Sequence, residues 1–330
     1  MILRHVFCLW LITLCAVWLT ACATKQAAPT AYIETLPQAI SVPYRLSSSG
    51  RFILDIAVNN GPPRPFVIDT GATVSAIYDK YTDTMQIAPM NQSVLVRGLV
   101  SIGKRPIIKD AEFQIGSELF RLDHIAVLDT PDITDEATGL LGADILGGYT
   151  ALFNKDTMIA TIVPSSYVHP KSFSGWRKIP LKSQTRSFSN SGLYFTHIKL
   201  DKKDIPVLID TGANLNFINW QLAALDENID RLQRNLRDEG KLQGALDETS
   251  LEMSTTFYDL ALGNHYWPSI PVTVLGLNSL AAVAPVDQPM MIAGASMFTP
   301  STVAFDLGGH RIYIRPNPDD QKPPSAISNR

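Results

Sequence analysis

Apolar positions along the chain recur mostly at a period of two. Arg51–Val58 (RFILDIAV) and Leu193–Leu200 (LYFTHIKL) alternate as half-buried strands do. Each leads through a turn, Gly61-Pro62-Pro63 in one case and Asp201-Lys202-Lys203-Asp204 in the other, into a more continuous apolar run. Short runs of this kind, punctuated by Gly and Pro, predict an all-β body. One stretch departs from the pattern. Leu222, Leu225, Ile229, Leu232 and Leu236, within Gln221–Arg237, fall at helical spacing and predict an amphipathic helix.

The strand pattern is written twice. Phe66-Val67-Ile68-Asp69-Thr70-Gly71-Ala72 recurs as Val207-Leu208-Ile209-Asp210-Thr211-Gly212-Ala213. Phe113-Gln114-Ile115-Gly116 pairs with Leu260-Ala261-Leu262-Gly263, and Leu140-Leu141-Gly142 with Ile292-Ala293-Gly294. Phe153-Asn154 matches Phe305-Asp306. The repeat predicts two related β lobes, 41–163 and 178–316. Residues 164–177, rich in Ser and Pro with the segment that follows them, read as a linker, and 317–330 as a polar tail. Lys178-Ile179-Pro180-Leu181 echoes Ser41-Val42-Pro43-Tyr44 and is expected to open the second lobe.

Composition narrows the function classes. With 330 residues and 45% hydrophobic content the chain can bury two cores, and disorder is excluded. A formal net charge of −3 leaves no electrostatic footprint for nucleic acid. The three cysteines, Cys8, Cys15 and Cys22, all precede the repeats, so disulfides, thiolate metal sites and a cysteine nucleophile are ruled out for the body. The six histidines are scattered, and no phosphate loop follows a strand; neither metal nor cofactor is expected. Ser101-Ile102-Gly103-Lys104 fits a Ser-x-x-Lys pattern but lacks the Lys-Thr-Gly and Ser-Asp-Asn that should accompany it.

The N-terminus reads as an address. Met1–His5 carries Arg4, and a mostly apolar run of fourteen residues, Val6–Leu19, follows. The run is short for a membrane span, which takes about 18–20 residues, and suits a secretory signal. Leu19-Thr20-Ala21-Cys22 resembles the bacterial lipobox, which implies removal of residues 1–21 and lipidation of Cys22. An uncleaved signal anchor is the alternative. Residues 22–40 read as a tether. By analogy with lipoprotein sorting, Ala23 favours the outer membrane, with the body facing the periplasm.

The repeated Asp carries the chemistry. A strand ending in Asp-Thr-Gly makes a turn whose N–H groups can hold a carboxylate. One copy would be an ordinary turn. Two copies at equivalent points would meet at an approximate two-fold axis and bring Asp69 and Asp210 face to face. Close carboxylates share a proton, so one serves as base and the other as acid around a water.

These residues resemble the pepsin-like and retropepsin-like aspartic proteases, and the resemblance spans both repeats. It implies a bilobal acid-protease fold, with Asp69 and Asp210 as the catalytic dyad and a peptide or protein substrate bound in extended form. Thr70 and Thr211 would hydrogen-bond across the loops, and Gly71 and Gly212 would let N–H groups approach the carboxylates. Ala72 and Ala213 match the retropepsin form and lack the hydroxyl usual in pepsins, which implies a less acidic optimum. Val94–Pro106 and Lys241–Ser250 are candidate flap hairpins, with Gly98 and Gly244 as candidate hinges; neither has a pepsin flap's tyrosine. A catalytically silent lipoprotein that binds peptides or a protein partner is the competing reading.

Overall fold

The computed structural model describes residues 32–97, 102–131, 136–185, 192–200, 203–225, 237–243, 249–275 and 288–317. They form an all-β body: one thirteen-stranded and one eight-stranded sheet, with helical pieces of at most four residues. Phe52–Val58 illustrates the packing. Only Asp55 of that strand is exposed, and Arg45 on the neighbouring strand meets it at 2.8 Å. A strand covered on both faces needs the nearly continuous apolar run seen here.

The sequence repeat is also a repeat of topology. Across the first half the order is Phe52–Val58, Arg64–Ile68, Gly139–Leu141, Ala76–Tyr78, Glu118–Leu128, Ile102–Ile115, Ser93–Arg97. Across the second it is Gly192–Leu200, Lys203–Ile209, Met291–Ala293, Phe217–Ile218, His265–Val274, Thr249–Leu262, Arg237–Gln243. The registers agree as well. Ile68 lies parallel beside Leu141, and Ile209 beside Ala293. Ala76 pairs antiparallel with Leu140, and Phe217 with Ile292. In each half the chain leaves the sheet at an Asp, turns, and re-enters two strands away. The apolar-apolar-Gly strand fills the gap between.

The halves join through Tyr149–Asn154 and Val303–Asp306, which pair antiparallel with Leu152 opposite Ala304. These two residues are repeat equivalents, and the flanking pairs Phe153–Val303 and Ala151–Phe305 interchange when the halves are exchanged. Such self-complementary pairing is the register of an approximate two-fold axis. Beneath it Phe153 lies 4.4 Å from Phe52 and 6.2 Å from Phe305, ring centre to ring centre, in one core shared by both halves.

Three expectations change. The tether expected over 22–40 is packed at its end: Tyr32–Thr35 forms a short helical turn, and Ile33 is buried with Phe173, Trp176 and Tyr313. The linker expected over 164–177 likewise folds, as turns Ser165–Tyr167 and Pro170–Phe173, with Phe173 stacked 4.2 Å from Tyr313. Ser and Pro content marks a break in strand pattern, but Ile33, Phe173 and Trp176 gain by covering the outer face of the joining sheet. Arg177–Pro180 then pairs with Arg311–Ile314, as the echo of Ser41–Tyr44 leads one to expect.

Of the helix expected over Gln221–Arg237, the described residues show one turn, Trp220–Ala223, capped by Asn219, whose side chain accepts from Leu222 N. Arg237 begins a strand instead, since pairing with Thr249–Leu262 offers its backbone a ladder. Residues 226–236 lie outside the described residues, as do the signal 1–21, Cys22 and 318–330. No helix among the described residues is long and apolar enough to cross a membrane.

Candidate active site

Each Asp-bearing loop is held by its own backbone. Gly71 N and Ala72 N both donate to Asp69 Oδ1 at 2.9 Å, and Gly212 N and Ala213 N both donate to Asp210 Oδ1 at 3.0 Å. The loops are anchored below, where Asp69 N donates to Leu141 O at 2.9 Å and Asp210 N to Ala293 O at 3.0 Å. This is why the apolar-apolar-Gly strand matters: it presents a carbonyl where each loop begins.

The loops then hold each other. Thr70 N donates to Thr211 Oγ1 and Thr211 N to Thr70 Oγ1, both at 3.1 Å. Each hydroxyl also donates onward, Thr70 Oγ1 to Ile209 O at 2.9 Å and Thr211 Oγ1 to Ile68 O at 2.6 Å. Both threonines are buried, so every bond replaces one that water can no longer make. A hydroxyl that accepts and donates at once is required, and Ser or Thr alone supplies it in a side chain this short.

The clasp places the two carboxyls in contact. Asp69 and Asp210 are both buried and hydrogen-bond to each other. A Cβ added to Gly71 would collide with the Asp210 carboxyl carbon. The same atom added to Gly212 would lie too close to the Asp69 carboxyl for any real contact. Both glycines are therefore required by the close approach of the opposite acid. Burial raises the proton affinity of Asp69, and the neighbouring Asp210 charge adds to this; the Gly71 and Ala72 N–H groups and Arg51 oppose it. Burial likewise raises Asp210, against its own loop N–H groups, the Asp69 hydrogen bond and Arg51. The pair thus keeps a shared proton well above the usual carboxylate range.

A further tier supports each loop. In the first half Ser75 N and Ser75 Oγ donate to Asp144 at 2.7 and 2.6 Å, and Gly142 N donates to Ser75 Oγ at 3.0 Å. In the second half Gly294 N donates to Asn216 Oδ1 at 2.9 Å, and Asn216 Nδ2 to Ser296 Oγ at 3.2 Å. Asn216 stands where the first half has Ser75, and Ser296 where it has Asp144.

The structure therefore brings Asp69 and Asp210, with Thr70, Gly71, Ala72, Thr211, Gly212 and Ala213, into one site. Candidate flap strands Ser93–Arg97 with Ile102–Ile115, and Arg237–Gln243 with Thr249–Leu262, form hairpins at equivalent points of the two halves. The candidate hinges Gly98 and Gly244 lie outside the described residues, as does Ser101. Trp176 is a core residue, Trp267 packs partly buried, and Trp220 is exposed. Among the described residues no group of three His, Cys, Asp or Glu is placed to hold a metal.

Sequence reasoning missed Arg51, Tyr78 and the Ser75–Asp144 pair. Arg51 Nη1 donates to Gly212 O at 3.1 Å from the other half, and Arg51 also hydrogen-bonds Tyr78. The signal was present in the repeat: Arg51 stands where the second copy has Leu193.

No family model and no curated protein matches the chain. Among solved structures it is similar to conglutin gamma, a basic 7S globulin from lupine seeds, at 10% sequence identity and a TM-score of 0.49, over 86% of this chain and 96% of that one.

Proposed function

We propose that this chain is an aspartic-type endopeptidase of the bilobal acid-protease fold, hydrolysing peptide bonds in a peptide or protein held in extended form. The observation that carries the reading is the dyad: two buried carboxyls in mutual contact, each fixed by two N–H groups and locked by the Thr70–Thr211 clasp. In the singly ionised pair, the carboxylate removes a proton from a water as its oxygen attacks the peptide carbonyl carbon. The protonated partner donates to the carbonyl oxygen, giving a tetrahedral diol. Collapse of the diol breaks the C–N bond: the ionised carboxylate takes a proton from a diol hydroxyl while the protonated one gives its proton to the leaving amine, which yields acid and amine products and restores the singly ionised pair.

The raised proton affinity of both carboxyls and the absence of a hydroxyl at Ala72 and Ala213 support a working range above that of pepsin. A pH–rate profile peaking at about pH 2, between the dyad values of pepsin, would contradict this. Cys22, as the lipid-bearing residue of a mature chain, would hold the enzyme on the periplasmic side of a bacterial envelope membrane, the outer membrane by the Ala23 analogy. Replacing Cys22 by Ala should then move the protein from the membrane to the soluble fraction.

The test is incubation of the full chain, in detergent, with a mixed peptide library over a pH series. Cleavage that disappears in both Asp69→Asn and Asp210→Asn is the expected result. Peptide binding without cleavage at every pH would replace the enzyme with a binding protein.

A further inference from the structure

The two loops share one set of backbone bonds, yet among the described residues a cation stands on one side only. Ile53 lies opposite Val67, and Phe195 opposite Leu208; two residues upstream, Arg51 thus corresponds to Leu193. Leu193 is buried in an apolar cluster with Leu208, Ala213 and Ile292. Tyr78 corresponds in the same way to Asn219, which is occupied in capping Trp220–Ala223 and in bonds to Gln288 and Met290. The Arg51–Tyr78 pair therefore has no counterpart in the second half.

Arg51 is well placed to act on both carboxyls through one residue. Its backbone is pinned in a hairpin, with Ser47 N donating to Arg51 O at 2.8 Å and Arg51 N to Ser47 Oγ at 3.1 Å. Its guanidinium crosses to Gly212 O at 3.1 Å. Gly212 in turn holds Asp210 through its N–H and packs its Cα face against Asp69. Among the described residues, Asp69 and Asp210 from the loops and Tyr81 from the turn after Tyr78 are charged or titratable groups that face Arg51 and Tyr78.

We infer that Arg51, braced by Tyr78, is a positioning residue for the dyad: it ties the second loop to the first half and keeps the carboxyl pair singly ionised toward lower pH. The physical basis is simple. Burial disfavours the monoanion that the chemistry needs, and a fixed positive charge beside it opposes that penalty. A lysine would keep the charge but lose the fork that reaches Gly212 and Tyr78 together.

The inference rests on the endopeptidase reading for its activity measurement, and a second measurement stands apart from catalysis. In Arg51→Met the acid limb of the kcat/KM profile should move up by about one pH unit or more, the size expected for loss of a close opposite charge. Arg51→Lys should return the limb toward wild type while kcat stays reduced. Independently, the Tm deficit of Arg51→Met relative to wild type should grow as pH rises through the raised value of the wild-type folded pair, because the variant's folded pair binds protons more tightly still.

If wild type cleaves nothing but this pH-dependent deficit is found, the peptidase reading falls and the role of Arg51 stands. If the limbs coincide and the deficit is constant with pH, Arg51 is a structural residue and the inference is overturned. Should Arg51→Met fail to fold, Tyr78→Phe carries the test: it frees the guanidinium from its brace and should shift the same limb and deficit in the same direction. Coincidence with wild type in both would overturn the inference equally.

Discussion

The two Asp-Thr-Gly loops are built alike and surrounded differently. Both carboxylates accept the same pair of N–H groups, both threonines donate and accept across the axis, and both glycines face the opposite acid. Around them the first half is polar and charged, with Arg51, Tyr78 and the Ser75–Asp144 pair. The second half has Leu193, Asn219 and the Asn216–Ser296 pair in those places. What must be symmetric is the set of bonds that creates the dyad. The surroundings are free to diverge, and their divergence can make two identical acids unlike.

The symmetric part should break symmetrically. Asp69→Asn and Asp210→Asn should each reduce peptide cleavage by about 10³-fold or more, within reach of removing a positioned acid or base; a variant that keeps most activity would show that the second acid is dispensable. These variants also sharpen the comparison through stability. The folded pair holds its proton more tightly than unfolded carboxylates, whose pKa is about 4. Wild-type stability is then greatest below that value and falls as pH rises through the raised folded values. Neither Asn titrates, so both variants should show a smaller fall in Tm from acid to neutral pH; parallel curves would count against a shared buried proton.

Gly71→Ala and Gly212→Ala come next. Each forces a methyl against the opposite carboxyl and should cost about 3 kcal/mol in chemical denaturation, the upper part of the usual overpacking range. Equal losses are expected from the two sides. Thr70→Ala and Thr211→Ala should each cost about 2 kcal/mol, since a buried N–H and a buried carbonyl lose a partner. Serine at either position should restore most of that.

The smallest effects should be unequal. Asp144→Ala strips the partner from both Ser75 N and Ser75 Oγ and should cost about 2 kcal/mol. Ser296→Ala should cost about 0.5–1 kcal/mol, because Asn216 Nδ2 keeps its bond to Pro271 O at 3.1 Å. Equal unfolding midpoints for these two variants would remove the distinction drawn between the supporting tiers.

Much of this was legible in the chain. Period-two alternation marked the strands, and the recurrence of Phe66–Ala72 as Val207–Ala213 marked both loops and their equivalence. These are local signals, carried by residues within a few positions of one another. The failures were of another kind. Ile33, Phe173 and Trp176 lie in stretches whose composition reads as tether and linker, and they pack because a distant sheet face lies uncovered without them. Gln221–Arg237 has helical spacing, but at Arg237 strand pairing takes precedence over the local period.

Pattern and repetition were thus sufficient to specify an all-β chain with two equivalent carboxylate loops, because strand period and turn chemistry are written in neighbouring residues. They did not specify which charge would stand beside the acids. The Arg51 contact to Gly212 joins residues 161 positions apart and exists only once the halves have met along Tyr149–Asn154 and Val303–Asp306. Burial behaves likewise. An aspartate on a turn has an ordinary proton affinity until the other half of the chain packs over it, and that desolvation is a property of the assembled fold.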